Sequence, residues 1–102
     1  MKSSMEIREI SQEQLAGWMK EGKEFQLIDV REEREHLQHN IGGDLIPLSE
    51  LNRLSHKIQA GKPVVLYCRK GIRSRIAIQR LHSKFPDTEF YNLTSGLMGF
   101  RI

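Results

Sequence analysis

The sequence predicts an α/β fold, a roughly five-stranded parallel sheet with helices on both faces. Short runs that are apolar nearly throughout, FQLIDV (25–30), VVLY (64–67) and FYNL (90–93), read as strands buried on both sides. Between them lie segments whose apolar residues recur at helical spacing, such as Leu51, Leu54 and Ile58, or Ile78, Leu81 and Phe85. Strand and helix then alternate along the chain, which is the pattern of parallel strands joined by helical crossovers. With 102 residues and no repeat, low-complexity tract or linker, a single domain over residues 1–102 is expected.

Taken in order, EIREI (6–10) alternates like a short strand. Ser11 and Gln14 have the capping-box spacing, and Leu15, Trp18 and Met19 continue at helical intervals until Gly22 ends the helix. FQLIDV is the next strand. REEREHLQHNIGG is polar and suits one or two helical turns closed by Gly42 and Gly43, and DLIP (44–47) is a brief extended piece that Pro47 limits. Ser49 can cap a helix carrying Leu51, Leu54 and Ile58, with Gly61 at its end and Pro63 preventing continuation. VVLY is the clearest strand. Beyond it, Ile78, Leu81 and Phe85 mark a helix that Pro86 stops, FYNL is the last strand, and SGLMGF (95–100) is a turn with a short helical tail.

Cys68 is the sole cysteine, so no intrachain disulfide and no multi-cysteine zinc site can form. One free thiol suits a reducing compartment. The N-terminal MKSSMEIREIS has no apolar signal-peptide core, and no apolar stretch approaches the roughly eighteen residues of a membrane helix. A cytoplasmic protein with no membrane contact is expected. The net charge of +3 and a pI near 9.2 are too modest to indicate nucleic acid. The distribution is more telling: residues 69–80 hold Arg69, Lys70, Arg73, Arg75 and Arg80 without an acid, which suits a small anionic ligand.

Cys68 follows VVLY directly and so sits at the carboxyl edge of the sheet, where ligands bind in folds of this class. If Cys68 to Arg73 loops into a helix beginning near Ser74, backbone N–H groups without helical partners can converge on the sulfur. Gly71 permits the tight backbone, and the surrounding cations add positive charge. Both effects lower a thiol pKa from its usual ~8.5, so the thiolate needs no histidine base. Cysteine phosphatases place arginine six residues after the cysteine. Here that position is Ser74, and Arg73 comes one step early. The shorter loop suits a smaller object, such as the outer sulfur of a persulfide.

The segments LIDVREEREH (27–36), NIGGDLIPL (40–48), VVLYCRKGIRS (64–74) and YNLTSGLMGF (91–100) resemble, in order and spacing, a single-domain rhodanese of the thiosulfate sulfurtransferase family. The resemblance implies a rhodanese-like three-layer sandwich and a ping-pong cycle carrying sulfane sulfur on Cys68. Cys68 would be the nucleophile, backbone amides of Arg69, Lys70, Gly71, Ile72 and Arg73 would cradle the sulfur with Ser74 closing the loop, and Arg73 would brace or charge it. Asp29 would orient structure around the site, and Arg31 would pair with neighbouring carboxylates. The donor would be thiosulfate or a persulfide and the acceptor a thiol or a protein, with no cofactor and no metal. Two positions depart from the family pattern: Asn40 stands at its usual histidine, and Met98 or Phe100 replaces its late tryptophan.

Other readings carry less. Asp29 lacks the second aspartate of a phosphotransfer site, since Arg31 stands two residues on. His36 and His39, three apart, read as surface histidines and Trp18 as core. Few long loops surround the cysteine, so an open, shallow pocket is expected. A binding module or sulfur carrier without efficient turnover is the alternative to an enzyme, and a phosphatase or arsenate reductase stands third.

Overall fold

The computed structural model describes residues 7–100. Five strands, β1 (Arg8–Ile10), β2 (Gln26–Asp29), β3 (Asp44–Leu45), β4 (Val64–Tyr67) and β5 (Phe90–Leu93), form one parallel sheet in the order β1-β5-β4-β2-β3. The helices are α1 (Gln12–Glu21), α2 (Glu33–Gln38), α3 (Leu51–Leu54) and α4 (Ile72–Leu81). Residue 6, which the alternating EIREI pattern assigned to the first strand, lies outside the described residues. Among the described residues no helix is long and apolar enough to cross a membrane.

Period-two alternation divides each central strand between two cores. Val64 and Leu66 of β4 face one side with Ile28, Phe90, Ala77, Ile78, Leu81, Leu51 and Ile58, whereas Val65 and Tyr67 face the other with Ile10, Leu15 and Leu93. All four β4 side chains are therefore fully buried, as an apolar run without alternation requires. Cys68 belongs to the α4 side. The arrangement is the expected parallel sheet covered on both faces.

Local chemistry sets the element ends. At α1 the capping box is complete, with the Gln14 N–H donating to Ser11 Oγ at 3.0 Å and the Ser11 N–H donating to Gln14 Oε1 at 2.9 Å. Gly22 closes the helix in the left-handed conformation. The expected helix capped by Ser49 is instead a 3₁₀ turn (Leu48–Glu50), the single turn α3 and a second 3₁₀ turn (Ser55–Lys57). Ser49 Oγ donates to Glu32 Oε2 at 2.9 Å and caps nothing, and Ser55 Oγ donates to the Asn52 carbonyl, competing with the helical ladder. Gly61 consequently lies in a turn beyond the helical segment, while Leu51 and Ile58 still bury as their spacing demands.

Two further ends differ from expectation. α4 stops at Leu81, before Phe85, because the residue preceding Pro86 disfavours helical backbone; the Lys84 and Phe85 N–H groups both turn back to the Leu81 carbonyl. Phe85 still packs edge-on against Phe90, their centroids 6.3 Å apart. The closing segment has no helical tail and is a continuous turn over residues 94–99. Gln12 Nε2 fastens it to α1 by donating to the Gly96 and Met98 carbonyls, each at 2.8 Å.

Candidate active site

Because β4 is central and ends at Tyr67, the chain leaves the sheet at Cys68 between the carboxyl ends of β2 and β5. It turns through Gly71, whose φ of +93° is costly for any residue with a Cβ, and enters α4 at Ile72. The helix thus begins two residues earlier than Ser74, which places the Ser74 N–H among the free donors of the first turn. The Gly71 and Ser74 amides donate to Cys68 Sγ at 3.1 and 3.4 Å. Ser74 Oγ lies 3.5 Å from the same sulfur. Gly96, Leu97 and the turn around them support the loop from behind, with the Leu97 N–H shared by the Cys68 and Arg69 carbonyls at 3.0 Å each.

Burial opposes ionisation of Cys68, but contact with the Ser74 side chain and hydrogen bonds from the Ser74, Gly71 and Lys70 amides outweigh it, and the thiol pKa falls below its ordinary value. The amides that reach the sulfur are those of Lys70, Gly71 and Ser74, and their work is done by dipoles. The charge expected from the arginines is largely committed elsewhere. Arg73 forms paired hydrogen bonds with Glu35 of α2, at 2.8 and 3.0 Å, and so braces the loop instead of pointing at the sulfur. Arg75 pairs with Glu9 at 2.7 Å. Arg69, Lys70 and Ile72 face outward, Ile72 being 65% exposed.

The expectation of an open, shallow pocket over the cysteine is not met. Cys68 is only 1% exposed: its side chain belongs to the α4-side core, the Gly71 and Ser74 amides meet its sulfur, and the turn 94–99 lies against its backbone carbonyl. A cleft of about 390 Å³ opens beside the loop, lined by Arg31, Glu35, His39, Arg69, Leu97 and Met98 among others, and Cys68 is not part of its wall. A slightly larger hollow, about 410 Å³, lies at the amino ends of β4 and β5 against Pro63 and Glu89, remote from the thiol. Chemistry, not size, selects between them.

Asp29 ends β2 fully buried and organises the floor beside the loop. Arg31 Nε and NH2 donate to its two oxygens at 3.0 and 2.8 Å, the Arg31 N–H donates at 2.9 Å, and His36 Nδ1 meets Oδ2 at 2.8 Å. A carboxylate only accepts, so Nδ1 carries the hydrogen. Burial pushes the Asp29 pKa up, but the bonds from Arg31 and His36 win and hold it below the carboxylate range. Arg31 also donates to the His39 carbonyl at 2.6 Å, which fixes the end of α2. Asp29 and Arg31 thus pair with each other, and none of these hydrogen bonds reaches the sulfur.

His36, read from sequence as a surface residue, belongs to this network. The other residues that sequence reasoning passed over are Glu35 and Asn92. Asn92 is 1% exposed and accepts a short hydrogen bond from Ser74 Oγ. Its signal was present in FYNL, where one amide interrupts an otherwise apolar strand at the sheet's carboxyl edge.

The family model for the rhodanese-like domain matches residues 11–102. Over 75 residues the chain is 45% identical to the uncharacterized protein YqhL of Bacillus subtilis, covering 72% of this chain and 59% of YqhL. Over 94 residues it is 36% identical to the probable adenylyltransferase/sulfurtransferase MoeZ of Mycobacterium tuberculosis, covering 89% of this chain and 24% of MoeZ. The chain thus spans 59% of YqhL's length and 24% of MoeZ's, less than two thirds of either. A rhodanese-like domain protein from Staphylococcus aureus superposes with a TM-score of 0.83 at 20% identity, covering 93% of this chain and 92% of that one, a likeness of fold. By sequence along most of its length and by the architecture just described, the chain belongs to the rhodanese-like domain family.

Proposed function

We propose that the protein is a sulfurtransferase that carries sulfane sulfur on Cys68. The observation that carries this reading is the convergence of the Gly71 and Ser74 amides on a single thiol at the end of a central strand. A thiolate held there attacks the outer sulfur of thiosulfate: a bond forms from Sγ to that sulfur, the sulfur–sulfur bond of thiosulfate breaks, and sulfite leaves with the electron pair. An acceptor such as cyanide or a thiolate then attacks the outer persulfide sulfur, and the pair from the breaking S–S bond returns to Sγ. The same amides stabilise negative charge on sulfur at each stage. MoeZ, whose name includes sulfurtransferase activity, shares 36% identity with this chain over 94 residues, which supports the reading.

With Cys68 1% exposed, a donor reaches it only when the residues around the sulfur move aside. That burial also favours a second reading, a persulfide carrier that exchanges sulfur with one protein and turns over small donors slowly. The test is thiocyanate release from thiosulfate and cyanide. Catalytic release by the protein and none by Cys68→Ser is expected. No release above background, with sulfur passing only from a protein persulfide, favours the carrier, and no transfer from either donor rejects both readings.

A further inference from the structure

The hydroxyl of Ser74 has one hydrogen and two neighbours that could take it. Cys68 Sγ lies 3.5 Å away, and Asn92 Oδ1 sits on its other side within a short hydrogen bond. Which neighbour wins is decided one residue further out. Asn92 Nδ2 donates to Glu9 Oε1 at 3.1 Å, and Glu9 and Asn92 are direct partners in the β1–β5 register. An ionised carboxylate only accepts, so it admits only the NH2 end of the amide. Asn92 must then present its oxygen, also an acceptor, to Ser74. Ser74 satisfies that buried oxygen by turning its hydrogen away from the sulfur, and it can accept the Cys68 S–H in return.

We propose that Glu9 and Asn92 are positioning residues for the reactive thiol: Glu9 fixes the Asn92 amide so that it draws the Ser74 hydrogen away from Cys68. The protein thereby holds back one of the donors available to the thiolate. Ionisation of Cys68 favours rotation of that hydrogen onto the sulfur, which leaves Asn92 Oδ1 buried and unpaired, a costly state. Releasing Asn92 to turn its NH2 toward Ser74 removes the conflict, because Ser74 then accepts from Asn92 and donates to the sulfur. An amide does not relay a proton in this setting, so Glu9 acts through orientation alone. The inference rests on the proposed role of Cys68 but concerns its ionisation, which is measured without any sulfur transfer.

Glu9 and Arg75 are both partly exposed, so each can be changed without opening the core. Of the other charged groups around the loop, Arg73 pairs with Glu35, and Arg31 and His36 with Asp29, while Arg69 and Lys70 are exposed and unchanged in every variant. The experiment is titration of the sole thiol by thiolate absorbance in the wild type, Glu9→Ala, Arg75→Gln, Ser74→Ala and the Ser74→Ala/Glu9→Ala pair. Glu9→Ala is expected to lower the Cys68 midpoint by about half to one pH unit, the scale of one hydrogen bond. Arg75→Gln is expected to leave the midpoint nearly in place, and Ser74→Ala to abolish the Glu9→Ala shift. An unmoved midpoint in Glu9→Ala overturns the proposal. So does an equal shift with and without the Ser74 hydroxyl, or a rise in Arg75→Gln as large as the Glu9→Ala fall, since either indicates through-space charge. If Ser74→Ala does not fold, the comparison of the two surface variants decides.

Discussion

Arg73 and Glu35, 38 residues apart in the chain, meet through two parallel hydrogen bonds of 2.8 and 3.0 Å. The pair joins the first turn of α4 to α2 across the carboxyl edge of the sheet, so the cysteine loop is held from its front by an ion pair and from behind by the turn at 94–99. Bidentate geometry makes this contact directional as well as attractive.

The pair has a signature in acid. The Arg73 bonds hold the Glu35 carboxyl down at about 2, against an ordinary 4.5. A depressed folded-state pKa adds stability that is fully present above the ordinary value and is lost as pH falls through the folded one. Between about pH 4.5 and 2 the wild type should therefore lose stability relative to Glu35→Gln, on the order of 1 kcal/mol because the groups are partly solvated. Urea unfolding across that range measures it. Parallel curves for the two proteins contradict the assignment. Asp29, also depressed, titrates in both and cancels in the comparison.

Removing Asp29 should be costlier than removing Glu35. Asp29→Ala leaves Arg31, only 6% exposed, without its carboxylate, and stranding a buried charge costs about 3–5 kcal/mol. The double variant Asp29→Ala/Arg31→Met should recover part of that loss, because no charge is then left behind. Denaturant midpoints test both statements, and a double variant less stable than the single would show that the pair contributes more than mutual neutralisation.

Cys68 should ionise below the ordinary thiol range, since the Ser74 side chain and the amide donors outweigh burial. Thiolate-dependent reaction should then rise with pH through that midpoint and level off above it. The same shift makes the folded state gain stability as pH climbs from the folded toward the unfolded pKa, because the unfolded thiol binds the proton more tightly. Absorbance titration with Cys68→Ser as blank gives the midpoint directly. A value at or above that of a free thiol would mean that burial prevails.

Gly96 is as constrained as Gly71, for a different reason. Its φ is +56°, and a Cβ there would press on the Cys68 carbonyl oxygen and on the Arg69 carbonyl carbon and oxygen, the latter two at 2.5 Å. Those are backbone atoms of the reactive loop and cannot step aside alone. Gly96→Ala should shift the loop, and a misplacement near 1 Å costs roughly a hundredfold in rate. Gly99→Ala, at φ +72° with nothing within 4 Å, is the control: it shares the backbone strain but not the clash. Equal activity loss in both variants would assign the effect to strain.

The sheet and the loop were legible in the sequence because each rests on local pattern. VVLY has no polar position to expose, Ser11 and Gln14 announce a helix start, and the cysteine, glycine and arginine spacing sets the loop length. What could not be read depends on contacts far apart in the chain. The pairing of Arg73 with Glu35 needs α2 to stand over the loop. The capture of His36 by Asp29 needs the end of β2 beneath that helix. The turn that braces the Cys68 backbone comes some thirty residues later, and its glycines look like any loop. Ser49 misled because its hydroxyl is directed to Glu32, to which it donates, instead of accepting from the first-turn N–H groups of a helix.

The central claim is that Cys68 accepts and releases a single sulfur atom. Intact mass measured after incubation with thiosulfate, and again after cyanide, tests it most directly. A gain of one sulfur is expected, absent in Cys68→Ser and erased by cyanide with release of thiocyanate. A protein whose mass stays unchanged with thiosulfate and with a protein persulfide donor alike would contradict it.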